Sequence, residues 1–236
     1  HPDLEYVLEE VSLEAGTRSF LLARARLEDT LKALGAKGHR RLGSWTGKEL
    51  VEGAAIACST PFAHLPQARH KVSRGVLAGY VSAEDGTGVV HTAPGHGIDD
   101  FNTGRANGLD IFCPVDGAGR FTAEAGPFEG LRIFEEGNPA VLEALRAQGR
   151  LAAKGSITHS YPHCWRCKNP IAFRATEQWF LNVGHAGLRE KLLKAVEEVV
   201  WIPAAGKERI AAMVSSRPDW CISRQRLWGT PIPMVR

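Results

Sequence analysis

Two imidazoles, two carboxylates and a hydroxyl fall within ten residues of this chain, at His91, Thr92, His96, Asp99 and Asp100. They sit in the stretch Gly88-Val89-Val90-His91-Thr92-Ala93-Pro94-Gly95-His96-Gly97-Ile98-Asp99-Asp100-Phe101. Side chains of these types can exchange protons, position a water or hold a cationic ligand. Glycines on both sides of His96 let the backbone come close to a ligand. Asp99 or Asp100 is placed to cap a helix running to about Gly108, and the positive end of the helix dipole favours a carboxylate there. Such a carboxylate can grip an ammonium group. The same residues also fit a plain structural reading, with an N-cap, a first-turn filler and two loop histidines satisfied by hydrogen bonds.

A second pattern with chemical meaning is Cys164-x-x-Cys167, flanked by His159 and His163. Its spacing is that of half a tetrahedral zinc site, which needs four ligands and usually joins two such pairs. Cys58 and Cys113 are unsuitably spaced to complete it, and Cys221, inside Trp220-Cys221-Ile222-Ser223, is a poor substitute. An odd number of scattered cysteines is a poor disulfide framework, so all five read as reduced thiols. A metal-free pair is the simple alternative.

The elements that must position these groups read as short strands with inserted helices. Tyr6–Val11 and Arg18–Ala23 predict two strands around a Glu14-Ala15-Gly16 turn, and Leu27–Leu34 a helix stopped by Gly35. Strand-like runs follow at Leu50–Cys58 and Val72–Val81. Asp85-Gly86-Thr87-Gly88 is a turn from which Val89–Thr92 leaves as a strand. Asp116–Gly119 suggests a hairpin, and Pro139–Gln148 a helix with proline in its first turn. Extended segments are expected near Ile157–His159 and Pro170–Ala175, and helices at Leu188–Val199 and Lys207–Val214. The sum is an α+β fold built on a barrel-like sheet. The absence of regular strand-helix-strand alternation argues against a doubly wound one. Trp45, Trp179 and Trp201 read as packing residues.

No run approaches the roughly 20 apolar residues that span a bilayer. The acidic start His1-Pro2-Asp3-Leu4-Glu5 lacks the pattern of a signal peptide, so a cytoplasmic setting without membrane contact is expected. Residues 1–149 carry five more acidic than basic side chains, whereas residues 150–236 carry eight more basic than acidic ones. A basic C-terminal third is a surface that attracts a phosphate backbone, though a solvated face with no partner has the same charge.

Gly86-Thr87-Gly88-Val89-Val90-His91-Thr92-Ala93-Pro94-Gly95-His96-Gly97-Ile98-Asp99-Asp100-Phe101 closely resembles the editing-site signature of isoleucyl-tRNA synthetases, class I aminoacyl-tRNA synthetases. Three later stretches are similar to the same family in the same order: His159–Lys168, Phe173–Phe180 and Arg217–Gly229. The last contains Trp220-Cys221-Ile222-Ser223-Arg224-Gln225-Arg226, which valine relatives share. The His91–Gly97 run is what favours isoleucine.

The resemblance implies an editing domain that hydrolyses valine from isoleucine tRNA. His91 would line the pocket and limit side-chain size, and Asp100 would hold the α-ammonium of the misattached amino acid. Thr92, His96 and Asp99 would shape the loop and contact the terminal adenosine. Editing would need no metal or nucleotide, while ATP and magnesium would serve the synthetic reaction of the intact parent. Zinc on Cys164 and Cys167 would also belong to that parent. The expected organisation is an editing domain over 1–156, the end of the insertion with the cysteine pair over 157–215, and a segment returning to the catalytic domain over 216–236. On that segment Trp228 would help line the amino-acid pocket. The partners implied are the valine-bearing acceptor end of the tRNA and the rest of the synthetase chain. A threonine-rich strand that lines the pocket in this family, and the HIGH and KMSKS motifs of the synthetic site, are not among these residues. Two other readings stay open: a non-catalytic tRNA-binding, zinc-ribbon fragment, and a free-standing deacylase, which would have no use for the Arg217–Gly229 stretch.

Overall fold

Alternating apolar residues make β1 (Glu5–Leu13) the middle strand of an antiparallel sheet. The chain reverses at Gly16, whose φ of 115° suits glycine, into β2 (Gly16–Ala23), and later returns as β3 (Gly38–Thr46) on the other side of β1. Between them α1 (Leu27–Leu34) buries Leu27 and Leu31, one turn apart, against Val7, Val11 and Leu22. Burying each of these side chains stabilises the fold by about 1.5–3 kcal/mol. Gly35 ends the helix in the left-handed conformation, as its sequence position suggests. Tyr6, Ala23 and Leu50 form a second core cluster, with Leu4, Leu21, Trp45 and Ile56 packed on it. The computed structural model describes residues 1–66, 68–69, 71–84, 86–156, 158–225 and 231–232.

The core of the sheet contains one charged side chain. Glu9 has 0% exposure, yet it faces the same side as Val7 and Val11. Its Oε1 accepts from Arg41 Nε at 2.7 Å and its Oε2 from His39 Nδ1 at 3.0 Å. Burial alone would push this carboxyl up, but the hydrogen bonds and charges of His39 and Arg41 hold it below the usual carboxylate range. The β1–β3 register shifts between Leu8 and Glu9, an irregularity beside this cluster.

Several expected strands take other forms. Leu50–Cys58 was predicted as one extended run, but Glu49–Gly53 is a wide turn of π-helix and only Ala57–Ser59 is a strand, β4. The cause is a capping box that the apolar pattern hides. Glu49 accepts from the Thr46 N–H at 2.7 Å, and the Thr46 hydroxyl accepts from the Glu49 N–H at 3.2 Å. Of Val72–Val81, only β5 (Val72–Arg74) pairs, with β4. The ladder stops at Gly75, where a Cβ would lie 2.5 Å from Ile56 Cγ2.

The hairpin at Asp116 is reduced to a single bridge between Val115 and Phe121. The Asp116 carboxylate ties its turn by accepting from the N–H groups of Arg120 and Ala118, and this holds its pKa low. After α2, described below, α3 (Asn138–Ala147) has its proline in the first turn as expected. The mixture of helix and strand agrees with the sequence, but no barrel closes among the described residues. They contain one three-stranded sheet and two two-stranded ladders.

The chain forms two compact units, His1–Ala175 and Thr176–Arg236. In the second, β6 (Phe180–Leu181) pairs antiparallel with β7 (Trp220–Cys221), and α4 (Leu188–Glu198) lies against α5 (Ala205–Ser216). Arg189 from α4 binds the end of α5, donating to the carbonyls of Val214, Ser215 and Arg217. Trp201 packs half-buried with its Nε1 on the Val196 carbonyl at 2.9 Å. Trp179, expected to pack, is 56% exposed. Among the described residues no helix is long and apolar enough to cross a membrane.

Candidate functional site

Gly88 fastens the candidate loop to the sheet. Its φ is 73°, and a Cβ there would lie 2.4 Å from that of Ala23. The buried Tyr6 hydroxyl donates to the Gly88 carbonyl at 2.9 Å, and Ala23 N–H donates to the Thr87 carbonyl at 2.8 Å. Beyond it, Val89–Thr92 was expected as a strand but belongs to no ladder, and Val89 and Val90 are each 52% exposed. The reason is visible at Ala93, whose N–H goes to a side chain, Asp100 Oδ2 at 3.0 Å, instead of a neighbouring strand.

Pro94 and Gly95 then turn the chain, with His96 N–H closing onto the Ala93 carbonyl at 2.9 Å. Both are buried. A Cβ on Gly95 would lie 2.1 Å from the Phe112 carbonyl oxygen. A Cβ on Gly104 would meet Pro94 Cγ at 2.7 Å, so glycine lets α2 (Ile98–Ala106) approach the turn. Gly97, in extended backbone, is the N-cap of α2, and neither aspartate caps it as expected. Asp99 and Asp100 lie inside the first turn, where the dipole still favours a carboxylate. The helix ends at Asn107, with Gly108 left-handed beyond it.

Asp100 is the best-placed of the predicted residues. It is half-buried, and its hydrogen bond to Ala93 returns the start of α2 to within two residues of His91. Its other oxygen, Oδ1, stands 3.4 Å from the Tyr80 hydroxyl, which in turn accepts from Thr103 Oγ1 at 3.3 Å. Tyr80 was not singled out in the sequence. Only the folding of residues 75–84 brings it to the helix, and no local spacing signals that. His91 is exposed, Thr92 half-buried and Asp99 exposed. His96 has a structural partner. Its Nδ1 lies 3.0 Å from the Phe173 carbonyl, which can only accept, so the ring donates from Nδ1 and leaves Nε2 on its other side. Together with Ala175 N–H on the Gly95 carbonyl at 2.7 Å, this bond braces the loop against residues 173–175. The structure therefore gathers His91, Thr92, His96, Asp99 and Asp100 onto one loop and helix start. Trp228 lies outside the described residues, as do Asp85 and Ile157 of the expected turn and extended segment.

Cys164 and Cys167 flank a tight turn. Lys168 N–H donates to the Cys164 carbonyl at 2.9 Å, Cys164 N–H to the Asn169 carbonyl at 2.8 Å, and Lys168 takes φ 62°. None of the five cysteines forms a disulfide. The neighbouring His163 has its Nδ1 on the Lys168 carbonyl at 2.6 Å. Among the described residues, no group of three or more histidine, cysteine, aspartate or glutamate side chains comes together as metal ligands. These residues offer zinc half a donor set.

The chain as a whole has relatives among known proteins. Residues 4–236 match the model of the family described as tRNA synthetases class I (I, L, M and V), and the chain belongs to that family. Within the family it is similar to isoleucine–tRNA ligases. The identity is 48% to the Thermotoga petrophila protein and 45% to that of Kosmotoga olearia, in each case over 100% of this chain. The Moorella thermoacetica protein is 45% identical over 99% of it. The chain spans about a quarter of the length of these relatives, between 23% and 24%.

Proposed function

We propose that this chain carries the hydrolytic editing site of an isoleucine–tRNA ligase and removes valine from isoleucine tRNA. The observation that carries the reading is the Asp100 carboxylate, held by Ala93 N–H at the start of α2, with the exposed His91 two residues before Ala93. An anionic group fixed there can take the α-ammonium of an esterified amino acid, and the imidazole can bound the side-chain space beside it. The relatives' name, isoleucine–tRNA ligase, favours the isoleucine system over its valine and leucine counterparts.

A missing methylene changes binding by only ~1–3 kcal/mol, a limit known for this very class of enzyme, so a second site that admits only the smaller side chain adds selectivity. In the reaction, water attacks the ester carbonyl and the ribose hydroxyl leaves. Asp100 orients the substrate through its ammonium, and His91 excludes the larger side chain. An activated ester needs positioning more than a strong nucleophile. Thr92 and Asp99 contact the terminal adenosine, while His96 keeps the loop in place. Ligation with ATP and magnesium is the proposed activity of the whole synthetase, acting in the cytoplasm.

The test is deacylation of valine-charged and isoleucine-charged tRNA by this chain and by the longer synthetase, with and without His91→Ala. A steric role predicts that the variant gains hydrolysis of the isoleucine ester. A general-base role would instead slow both esters on the order of 100-fold with no change in preference. An unchanged valine-to-isoleucine ratio would rule out the sieve.

A further inference from the structure

From Ala144 to Thr176 the chain carries six cationic side chains, Arg146, Arg150, Lys154, Arg166, Lys168 and Arg174, and not one carboxylate, although Arg146 pairs with Glu143 just before the stretch and Arg174 donates to the Val115 carbonyl. The middle of this stretch folds into a projecting two-armed loop. His163 bridges to Pro170, Ile171 N–H donates to the Pro162 carbonyl at 3.2 Å, and the Tyr161 hydroxyl donates to the Ile171 carbonyl at 2.9 Å. The turn between the arms is the cysteine turn described above, and it presents Trp165 at 72% exposure. An apolar ring of that size in water is unfavourable unless something covers it. The Arg166 guanidinium lies 4.5 Å from the centre of the Trp165 ring, and Lys168 Nζ donates to the Trp165 backbone carbonyl at 2.7 Å, so one cation stacks on the indole and a second holds the backbone of the same residue. Along one arm, Tyr161 stands edge-on to His159, His163 and Phe134 at centroid distances of 5.9, 6.5 and 6.1 Å.

We infer that this loop is a stacking platform for unpaired RNA, with Trp165 receiving a base and Arg166 and Lys168 neutralising the adjoining phosphates. The argument is complementarity of charge and of shape. Nucleic acid supplies the dense negative charge that a carboxylate-free cationic stretch lacks, and this electrostatic contribution governs affinity. Proteins that take single strands combine such charge with exposed aromatic rings, because every base has a face to stack on. A guanidinium already stacked on the indole holds the ring in place, leaving less rotamer freedom to lose on binding. A duplex keeps its bases stacked on one another and offers the ring nothing equivalent. A protein segment would need acidic groups to match the same surface. The inference rests on the reading that the chain handles tRNA, and it gives that RNA a contact apart from the loop around Asp100.

The experiment titrates the 236-residue chain against a fluorescein-labelled, uncharged single-stranded RNA of about 12 nucleotides, and against a duplex of the same length, by anisotropy. Trp165→Ala should weaken single-strand binding roughly 10-fold or more, and Trp165→Phe, which keeps a stacking face, should recover most of it. Arg166→Gln with Lys168→Gln should reduce the slope of log affinity against log salt by about 1–2. Affinity for single strand indifferent to Trp165→Ala, tighter binding of the duplex, or no binding by the unaltered chain would each overturn the inference. Uncharged RNA makes the readout independent of ester hydrolysis. A chain that binds RNA through Trp165 but fails to deacylate would sink the editing reading alone, and one that deacylates without this dependence would sink only the platform.

Discussion

The sheet of β1, β2 and β3 and the loop from Gly88 to Asp100 solve the problem of backbone hydrogen bonding differently. In the sheet, β1 exchanges bonds with strands on both sides over nearly its whole length, and two apolar clusters pack against it. In the loop, the partners are scattered. The Tyr6 hydroxyl takes the Gly88 carbonyl, Asp100 takes the Ala93 N–H, and Ala175 N–H takes the Gly95 carbonyl. Fixation of the loop by side chains and close-packed glycines leaves His91 and Asp99 exposed. One polar cluster, at Glu9, intrudes on the otherwise apolar economy of the sheet.

The strongest way to break this contrast is Gly95→Ala, which forces a methyl group onto the Phe112 carbonyl. It should cost about 3 kcal/mol, seen as a fall in the denaturation midpoint, whereas an equal change in open space at Gly53 should cost far less. Removal of the site's charge is next. Asp100→Ala should lower kcat/KM for valine deacylation by roughly 1.5–3 kcal/mol, about 10- to 150-fold, and cost about 1 kcal/mol of stability through the Ala93 N–H it leaves without its partner. Wild-type rates would remove Asp100 from the site.

Glu9→Gln tests the polar intruder in the sheet and should cost about 1–2 kcal/mol at neutral pH, because His39 and Arg41 are partly solvated and recover some hydration. The folded Glu9 carboxyl is held below its ordinary value of 4.5. Its contribution is therefore complete above that value and is lost as pH falls through the lower folded value. Denaturation followed against pH should show the gap between wild type and Glu9→Gln closing only on the acid side. The smallest effect is a matter of preference. In His91→Ala an extra buried methylene is worth about 0.8 kcal/mol, so the isoleucine-to-valine deacylation ratio should rise about fourfold.

How much of this was legible follows the same contrast. β1, β2 and α1 could be read because their signals are local, with alternation, an i, i+4 leucine pair and a terminating glycine. β3 escaped because Gly38–Thr46 is mostly exposed and basic, and its place is set by pairing with a distant strand. The site residues were legible as a cluster, but the use made of each was not. Gly97, not an aspartate, caps α2, and His96 spends its Nδ1 on Phe173, seventy-seven residues away. Tyr80 reaches Asp100 only through the tertiary fold. The turn at residues 85–88 and the residues after it suggest a strand at Val89–Thr92, but extended residues make a sheet only when another backbone faces them.

Among the described residues β3 pairs on one side only, with β1. A strand edge left without a neighbouring strand is where unwanted strand addition and fibrous association begin. The sequence along that edge decides what can be added. Two copies joined antiparallel about Arg40 and Arg41 would set guanidinium against guanidinium, and the Arg40 side chain is 72% exposed with Glu10 as its ion-pair partner. A strand of neutral or acidic composition would meet no such repulsion. The basic run along this margin thus works against pairing with its own copies.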